Sequence, residues 1–340
     1  MRALVCEAYG PVENLKIADL PVPEPGPGEV LVRVGAAGVS FAALLGVQGK
    51  HQNKPPLPYV PGNELAGHVM KLGPGVTNIA VGQRIATAVS QGAYAEYAVA
   101  LAANVIAIPQ TMPYAQATNF PTLYPTAYGA LKWKADLQPG EVLLVHGAGG
   151  GSGLTAVEVG KALGAVVIAS AGGGDKLLAA RDAGADHLID YRREDLRARV
   201  LELTAGRGAD VIFDPVGGEA FDVSLRCVAP EGRLIPMGFA SGTIPQIPAN
   251  ILLVKNVTVI GFYYGYYNGW GGKAAPTPKE AAALARRRAM VAEAQKQLMR
   301  WFTQDKLKAT IAGTFDLADW VQAFSLIEER TVVGKAVLVP

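Results

Sequence analysis

The sequence predicts an α/β protein of two domains, one β-rich and built of short strands, the other a doubly wound parallel sheet. Three observations predict it. The chain has 340 residues, and a domain takes about 100–200. The first 120 or so residues carry short apolar runs separated by glycine. From about residue 140, continuous apolar runs alternate with helical stretches.

In the first part, Val30-Leu31-Val32-Arg33-Val34 alternates behind the turn Pro25-Gly26-Pro27-Gly28, and Leu65–Leu72, Arg84–Val89 and Tyr94–Val99 are further strands. Glycines between short strands point to a barrel or irregular sheet. Residues 54–62, with four prolines, form a stiff extended connector. In the second part Val142-Leu143-Leu144-Val145-His146 is apolar throughout, as a strand buried on both faces must be. Strands follow at 166–170, 187–190, 211–214, 233–237 and 257–261, and helices at 154–163, 175–183, 194–204 and 220–228. This alternation predicts a parallel sheet. The aromatic–glycine segment 262–270 reads as a loop. A long helix over 279–302 carries Arg286, Arg287 and Arg288 on what reads as a solvated face. A last helix presents Trp320, Phe324 and Ile327, and a strand over 336–339 closes the chain.

Half the residues are hydrophobic and 18% are charged, which excludes a disordered chain. A net charge of +2 does not mark a nucleic-acid binder. Two cysteines, Cys6 and Cys227, support neither a disulfide framework nor a four-cysteine zinc lobe. No apolar run approaches the roughly 18 residues of a membrane span, and Arg2 and Glu7 interrupt any signal-peptide pattern. The expectation is a soluble, reduced, cytoplasmic protein.

The strongest local motif is His146-Gly147-Ala148-Gly149-Gly150-Gly151-Ser152-Gly153. Between a buried strand and a helix, it permits a sharp turn and offers helix N-terminal amides to a pyrophosphate, so it predicts dinucleotide binding. An NAD site places an acid at the end of the second strand. Here that strand ends Ala169-Ser170-Ala171-Gly172-Gly173-Gly174. Lys176 and Tyr191-Arg192-Arg193 favour a 2′-phosphate, hence NADP(H), with Asp175 expected to cap its helix.

The ordered set Pro25–Val32, Ala36–Ser40, Pro61–Gly67, Val81–Arg84, Thr126–Tyr128, Gly184–Tyr191, Asp214–Gly218 and Gly334–Leu338 resembles the medium-chain dehydrogenase/reductase superfamily, in its zinc-free quinone oxidoreductase branch, over essentially the whole chain. The resemblance implies a GroES-like catalytic domain from residues 1–122 and 264–340, with a Rossmann domain, 123–263, inserted. It implies homodimers paired through the last Rossmann strands near 257–261. It places Ser40, Asn63 and Thr122 at the three zinc-ligand positions of the zinc-dependent members, and a hydroxyl, an amide and a second hydroxyl are poor substitutes for thiolate and imidazole. No metal is therefore expected. Without that Lewis acid, the chemistry left is hydride transfer from NADPH to a quinone or an α,β-unsaturated carbonyl.

By family position, Thr126, Gly150, Gly151, Ser152 and Gly153 contact the cofactor. Gly172, Lys176 and Tyr191 surround its adenosine phosphate. Gly217, Gly238, Phe239, Phe262, Tyr263 and Tyr264 border the nicotinamide, and Lys335 touches a phosphate. Ser40 replaces an asparagine common near the nicotinamide, and Leu45 stands where many relatives carry a tyrosine. Candidate proton donors are Ser40, His51, Tyr59, Tyr124 and Tyr263, although His51 sits in a polar loop where a surface role is the plainer reading. His146 has packing as its default role, and Glu64 a structural one. A short-chain dehydrogenase reading fails on motif order, since Tyr128 and Lys132 precede the glycine loop. An enoyl-thioester or enone reductase, and a non-catalytic NADPH-binding or RNA-binding relative, remain the alternatives.

Overall fold

The computed structural model describes residues 1–269 and 277–340. Trp270, Gly271 and Gly272 of the aromatic–glycine segment lie outside the described residues. The chain divides into two compact units, Met1–Thr122 with Ala309–Pro340, and Leu123–Lys308.

The first unit begins with β1 (Arg2–Val5) and β2 (Lys16–Asp19), an antiparallel pair. Then come β3 (Glu29–Gly38), helix α1 (Phe41–Val47), β4 (Glu64–Leu72), β5 (Arg84–Ala88), β6 (Tyr97–Leu101), β7 (Ile106–Ala107) and α2 (Tyr114–Ala117). β3 is the hub: it pairs antiparallel with β4 and with β6. Its burial alternates only in part, because Val30, Val32, Val34 and Ala37 join Leu4, Leu65, Val69, Ile85 and Tyr94 in one core. The short helix α1 interrupts the β-rich stretch. Its apolar residues Ala43, Leu44 and Val47 recur at helical spacing and are buried, while Ser40 caps its start.

The second unit opens with α3 (Leu123–Tyr128) and a π-helical turn, Gly129–Lys134. It then alternates strictly: β8 (Val142–His146), α4 (Gly151–Ala162), β9 (Val166–Ala171), α5 (Gly174–Asp182), β10 (His187–Asp190), α6 (Leu196–Leu203), β11 (Ala209–Asp214), α7 (Glu219–Cys227), β12 (Val228–Pro236), α8 (Ala249–Lys255) and β13 (Thr258–Val259). The strands are parallel throughout, in the order β10-β9-β8-β11-β12-β13. The chain thus winds outward from β8 on one side and from β11 on the other, so the switch point of the doubly wound sheet lies between β8 and β11. Leu143, Leu144, Val145, Ile212 and Phe213 are fully buried there. The strand expected over 257–261 is cut to two residues at the sheet edge, and β12 starts five residues before its expected position.

A turn of helix α9 (Gly265–Asn268) and the long α10 (Pro278–Thr303) follow. Thr277 and Glu280 form a capping box at the start of α10. The second compact unit runs on to Lys308, past residue 263, where the Rossmann domain was expected to end. Tyr128 stacks on Trp133 and Trp301, and Trp133 on Tyr267, so aromatic packing holds α9 and α10 to α3. Of the three arginines, Arg287 lies 4.0 Å over the Tyr266 ring, and Arg288 donates to the Asn268 carbonyl. That face of α10 is therefore partly engaged, whereas a solvated one was expected. The chain finally returns to the first unit with β14 (Ile311–Asp316), α11 (Trp320–Glu328) and β15 (Lys335–Val339), which adds antiparallel to β3. No helix among the described residues is long and apolar enough to cross a membrane.

Phe213 is fully buried in the central strand β11. Phe213→Ala is expected to cost about 3–5 kcal/mol of unfolding free energy, read from urea unfolding of the purified protein.

Candidate functional site

At the switch point, β8 ends at His146 and the chain bends through Gly147–Gly150 into α4. Gly147 has φ +58°, a left-handed conformation that favours glycine. Gly153 has no room for a side chain, since a Cβ there would stand 2.2 Å from the Gly147 carbonyl oxygen. The first turn of α4 is thereby pressed against the strand-end turn. Gly150 caps the helix with no side-chain hydrogen bond, and the amides of Gly151, Ser152 and Gly153 have no acceptor within the helix. The result is a narrow cradle of N–H groups at the positive end of the helix dipole, suited to a diphosphate.

The neighbouring loops complete it. A Cβ on Gly149 would meet the Lys176 side chain at 2.4 Å, and one on Gly172 would meet Arg192 Nε at 2.7 Å and the Tyr191 hydroxyl at 2.8 Å. Gly149, Gly172, Lys176, Tyr191 and Arg192 are thus brought together at the ends of β8, β9 and β10. Tyr191 is 52% exposed. Arg193 turns instead toward Asp190, 3.8 Å away. Asp175 does not cap α5: Gly173 occupies that position with φ +100°, and Asp175 lies in the first turn, where it complements the helix dipole.

On the other side of the switch point, the Asp214 carboxylate accepts from the amides of Val216 (2.8 Å) and Gly217 (3.0 Å). Three backbone bonds, Gly218 to Thr243, Ala240 to Pro215 and Ser241 to Val216, join this loop to the one after β12. Gly217, Gly238 and Phe239 therefore form one surface, with Val216 against Gly147. The motif Asp214–Gly218 was legible in the sequence, but the clamp its carboxylate makes was not.

His146 is buried beneath the bend. The Ser224 hydroxyl donates to the Ala220 carbonyl at 2.7 Å, so its oxygen accepts from His146 Nε2–H at 2.8 Å. Burial lowers the His146 pKa from its ordinary 6.5, against the pull of Asp214.

Several expected site residues are engaged elsewhere. Tyr124 is fully buried, and its hydroxyl donates to Glu158 on α4. Tyr264 is also buried, its hydroxyl bonded to Asn268 and Gln295, and burial pushes its pKa up to about 12. Phe262 packs on Gly129 and Tyr267 in the aromatic cluster. Tyr263 is half exposed with its ring against Gly265. Thr126 is half-buried on α3. Tyr59 belongs to the core of the first unit, where burial and its bond with the Cys6 thiol raise its pKa. The His51 ring nitrogen Nδ1 accepts from the Asn53 amide in a local turn. The largest correction is Lys335. It is 3% exposed, forms an ion pair with Glu64, and donates to the Thr118 carbonyl at 2.9 Å. Its ammonium is committed inside the first unit and does not present itself to a phosphate.

Residues 151–277 match the family model described as zinc-binding dehydrogenase, and residues 26–110 the one described as alcohol dehydrogenase GroES-like domain. The quinone oxidoreductase-like protein 2 homolog of Nematostella vectensis is 37% identical over 340 residues, covering 99% of this chain and 88% of the relative. The chain belongs to the medium-chain dehydrogenase/reductase superfamily, among its quinone oxidoreductase-like proteins. A quinone oxidoreductase of Pseudomonas aeruginosa is 34% identical across 98% of both chains. The crystal structure of Escherichia coli quinone oxidoreductase complexed with NADPH superimposes with a TM-score of 0.88 at 28% identity, covering the whole of both chains. The fold is the GroES-like and Rossmann pairing of those structures.

A zinc-binding description raises the question of whether this member's residues suit the metal. Ser40 Oγ accepts from the Ala43 amide at 3.1 Å as the cap of α1. Asn63 Nδ2 donates to the Ser90 carbonyl at 2.6 Å. Thr122 contributes a neutral, buried hydroxyl oxygen. Two of these side chains are hydrogen-bonded to backbone groups of other residues, and none is a thiolate, imidazole or carboxylate, so this donor set does not suit catalytic zinc.

A buried neutral histidine sets a pH dependence. Below about 6.5 the unfolded chain takes up a proton that folded His146 resists, so wild-type stability falls as pH falls through that range. His146→Gln lacks this component. The stability difference between wild type and variant is expected to narrow from pH 7.5 to pH 5, as measured by urea unfolding at each pH.

Proposed function

We propose that this oxidoreductase reduces quinones or α,β-unsaturated carbonyls with NADPH and without zinc. The observation that carries the reading is the diphosphate cradle of Gly147–Gly153 at the switch point, with Lys176 and Arg192 on its rim and no acid at the end of β9. The cradle fits the dinucleotide: the amides of Gly151, Ser152 and Gly153 would hold the pyrophosphate, and Gly172, Lys176, Tyr191 and Arg192 the adenosine phosphate. Arg192 suits a phosphate because its guanidinium presents paired donors. Gly217, Gly238 and Phe239 would border the nicotinamide, in a loop whose shape the Asp214 clamp maintains. Thr126 and Ser40 are proposed as further contacts on the strength of the family resemblance.

Bound NADPH supplies a hydride at its nicotinamide. The protein's part is to orient that ring, exclude water and stabilise the reduced acceptor's oxygen until a proton arrives. With Tyr59 and Tyr124 buried and their hydroxyls bonded internally, the candidate proton donors left are Ser40, His51, Tyr263 and water. Acceptors such as quinones and enones are already electrophilic and need no Lewis acid, in keeping with the poor zinc donor set at Ser40, Asn63 and Thr122.

A homodimer is part of the proposal. Among the described residues the outer edge of β13 is unpaired. Beside it in the sequence, Leu253 and Val254 of α8 are 77% and 76% exposed. An open strand edge next to exposed apolar side chains is a surface that a second copy would cover.

NADPH is expected to bind at least about tenfold more tightly than NADH, ~1.4 kcal/mol, in fluorescence titration, and Lys176→Ala or Arg192→Ala is expected to remove most of that preference. Equal affinities in the wild type would contradict the assignment. With 1,2-naphthoquinone, NADPH oxidation followed at 340 nm is expected to proceed at the same rate before and after chelation. Loss of turnover on chelation, or zinc at one equivalent by elemental analysis, would refute zinc independence.

A further inference from the structure

The first unit holds a buried lysine that the hydride-transfer reading leaves unused. Lys335 opens β15, the last strand, and only 3% of it is exposed; Glu64, at the start of β4, is 5% exposed. They form an ion pair, and the same ammonium donates to the Thr118 carbonyl. A third segment closes on them. A Cβ on Gly38 would lie 2.3 Å from Lys335 Cε and 2.9 Å from Glu64 Oε2, so the end of β3 is packed directly against the pair. The Gly38 carbonyl in turn accepts from the buried Tyr94 hydroxyl at 3.2 Å. Burial and the nearby Glu64 carboxylate raise the pKa of that hydroxyl.

These contacts fall on three segments. Gly38 precedes Ser40 by two residues, Glu64 directly follows Asn63, and Thr118 precedes Thr122 by four. Ser40, Asn63 and Thr122 are the positions whose side chains do not suit a metal. We propose that the Lys335 ammonium is the internal cation of this region, tying together the three segments that carry Ser40, Asn63 and Thr122. It is a positioning residue, holding the start of α1 and the Ser40 hydroxyl in place. A cation covalently attached to β15 performs this cross-linking with no bound ion, and it demands glycine at position 38 because the lysine stem occupies the space of a side chain. A buried charge pair is costly to break from one side and far less costly to replace as a whole, and this asymmetry separates stability from positioning.

The test uses the full-length protein. Lys335→Met is expected to lower the melting temperature, Lys335→Arg to restore part of it, and the double variant Lys335→Met, Glu64→Leu to restore most of it. In the folded double variant, amide hydrogen exchange over residues 38–47 is expected to speed up at least about tenfold while β5 is unchanged. The kinetic arm rests on the NADPH-dependent reading. There, kcat with 1,2-naphthoquinone is expected to fall about tenfold or more while the NADPH Kd changes less than about twofold. Gly38→Ala keeps both charges but displaces the pair, and is expected to show the same local exchange should the charge variants not fold.

Unchanged exchange over 38–47 in the double variant and in Gly38→Ala would overturn the proposal and leave the pair a fold-stabilising contact only. A large loss of NADPH affinity with 38–47 still protected would overturn it in favour of a phosphate contact. If the wild type shows no turnover, the NADPH-dependent reading fails while the exchange result still decides the role of Lys335.

Discussion

The second unit depends on one close approach. The first turn of α4 meets the turn after β8 at Gly153, where the backbone of Gly147 leaves no space for even a methyl group. That contact places the helix N-terminus at the end of the central strand, with its unsatisfied amides turned toward an anion site. The rest of the site is arranged around it. Val216 packs beside Gly147, Lys176 on Gly149, and Tyr191 and Arg192 on Gly172. Beneath it, a buried neutral histidine bonded to Ser224 and a carboxylate that clamps Val216 and Gly217 keep the two halves of the switch point in register. Ligand chemistry and sheet topology share the same few residues, and a side chain at Gly149 or Gly153 would collide with its neighbours.

Much of this was legible in the sequence because it is local. The apolar run at 142–146, the glycines behind it and the regular alternation of strand and helix each follow from spacing along the chain. The short helix α1 was not, since seven residues with small apolar side chains give a weak period next to a proline-rich connector. The outer strand β13 was legible in place but not in length, since only Thr258 and Val259 find a partner. The packing of α9 and α10 on the second unit was hidden because it rests on ring contacts among Tyr128, Trp133, Tyr267 and Trp301, which are distant in the sequence. The expected site residues that the structure engages elsewhere share a cause. Tyr59, Tyr124, Tyr264 and Lys335 all carry chemistry that suits a cofactor or a proton, but tertiary packing gave each an internal partner: Cys6, Glu158, Asn268 with Gln295, and Glu64. Residue type alone cannot reveal such a partner.

The two units handle charge in opposite ways. In the second, the helix amides and the Lys176 and Arg192 side chains gather beside the glycine bend, where the proposed function seats the cofactor's phosphates. In the first, the Lys335 ammonium is buried against Glu64 and the Thr118 carbonyl. In the proposed function the first arrangement serves a ligand; the second ties segments of the first unit together internally.

The central claim is tested most directly by a crystal structure of the protein soaked with NADPH. The account predicts density for the pyrophosphate within hydrogen-bond distance of the Gly151–Gly153 amides, with the 2′-phosphate between Lys176 and Arg192. Well-ordered cofactor at any other place, with the bend at 147–153 empty, would contradict it.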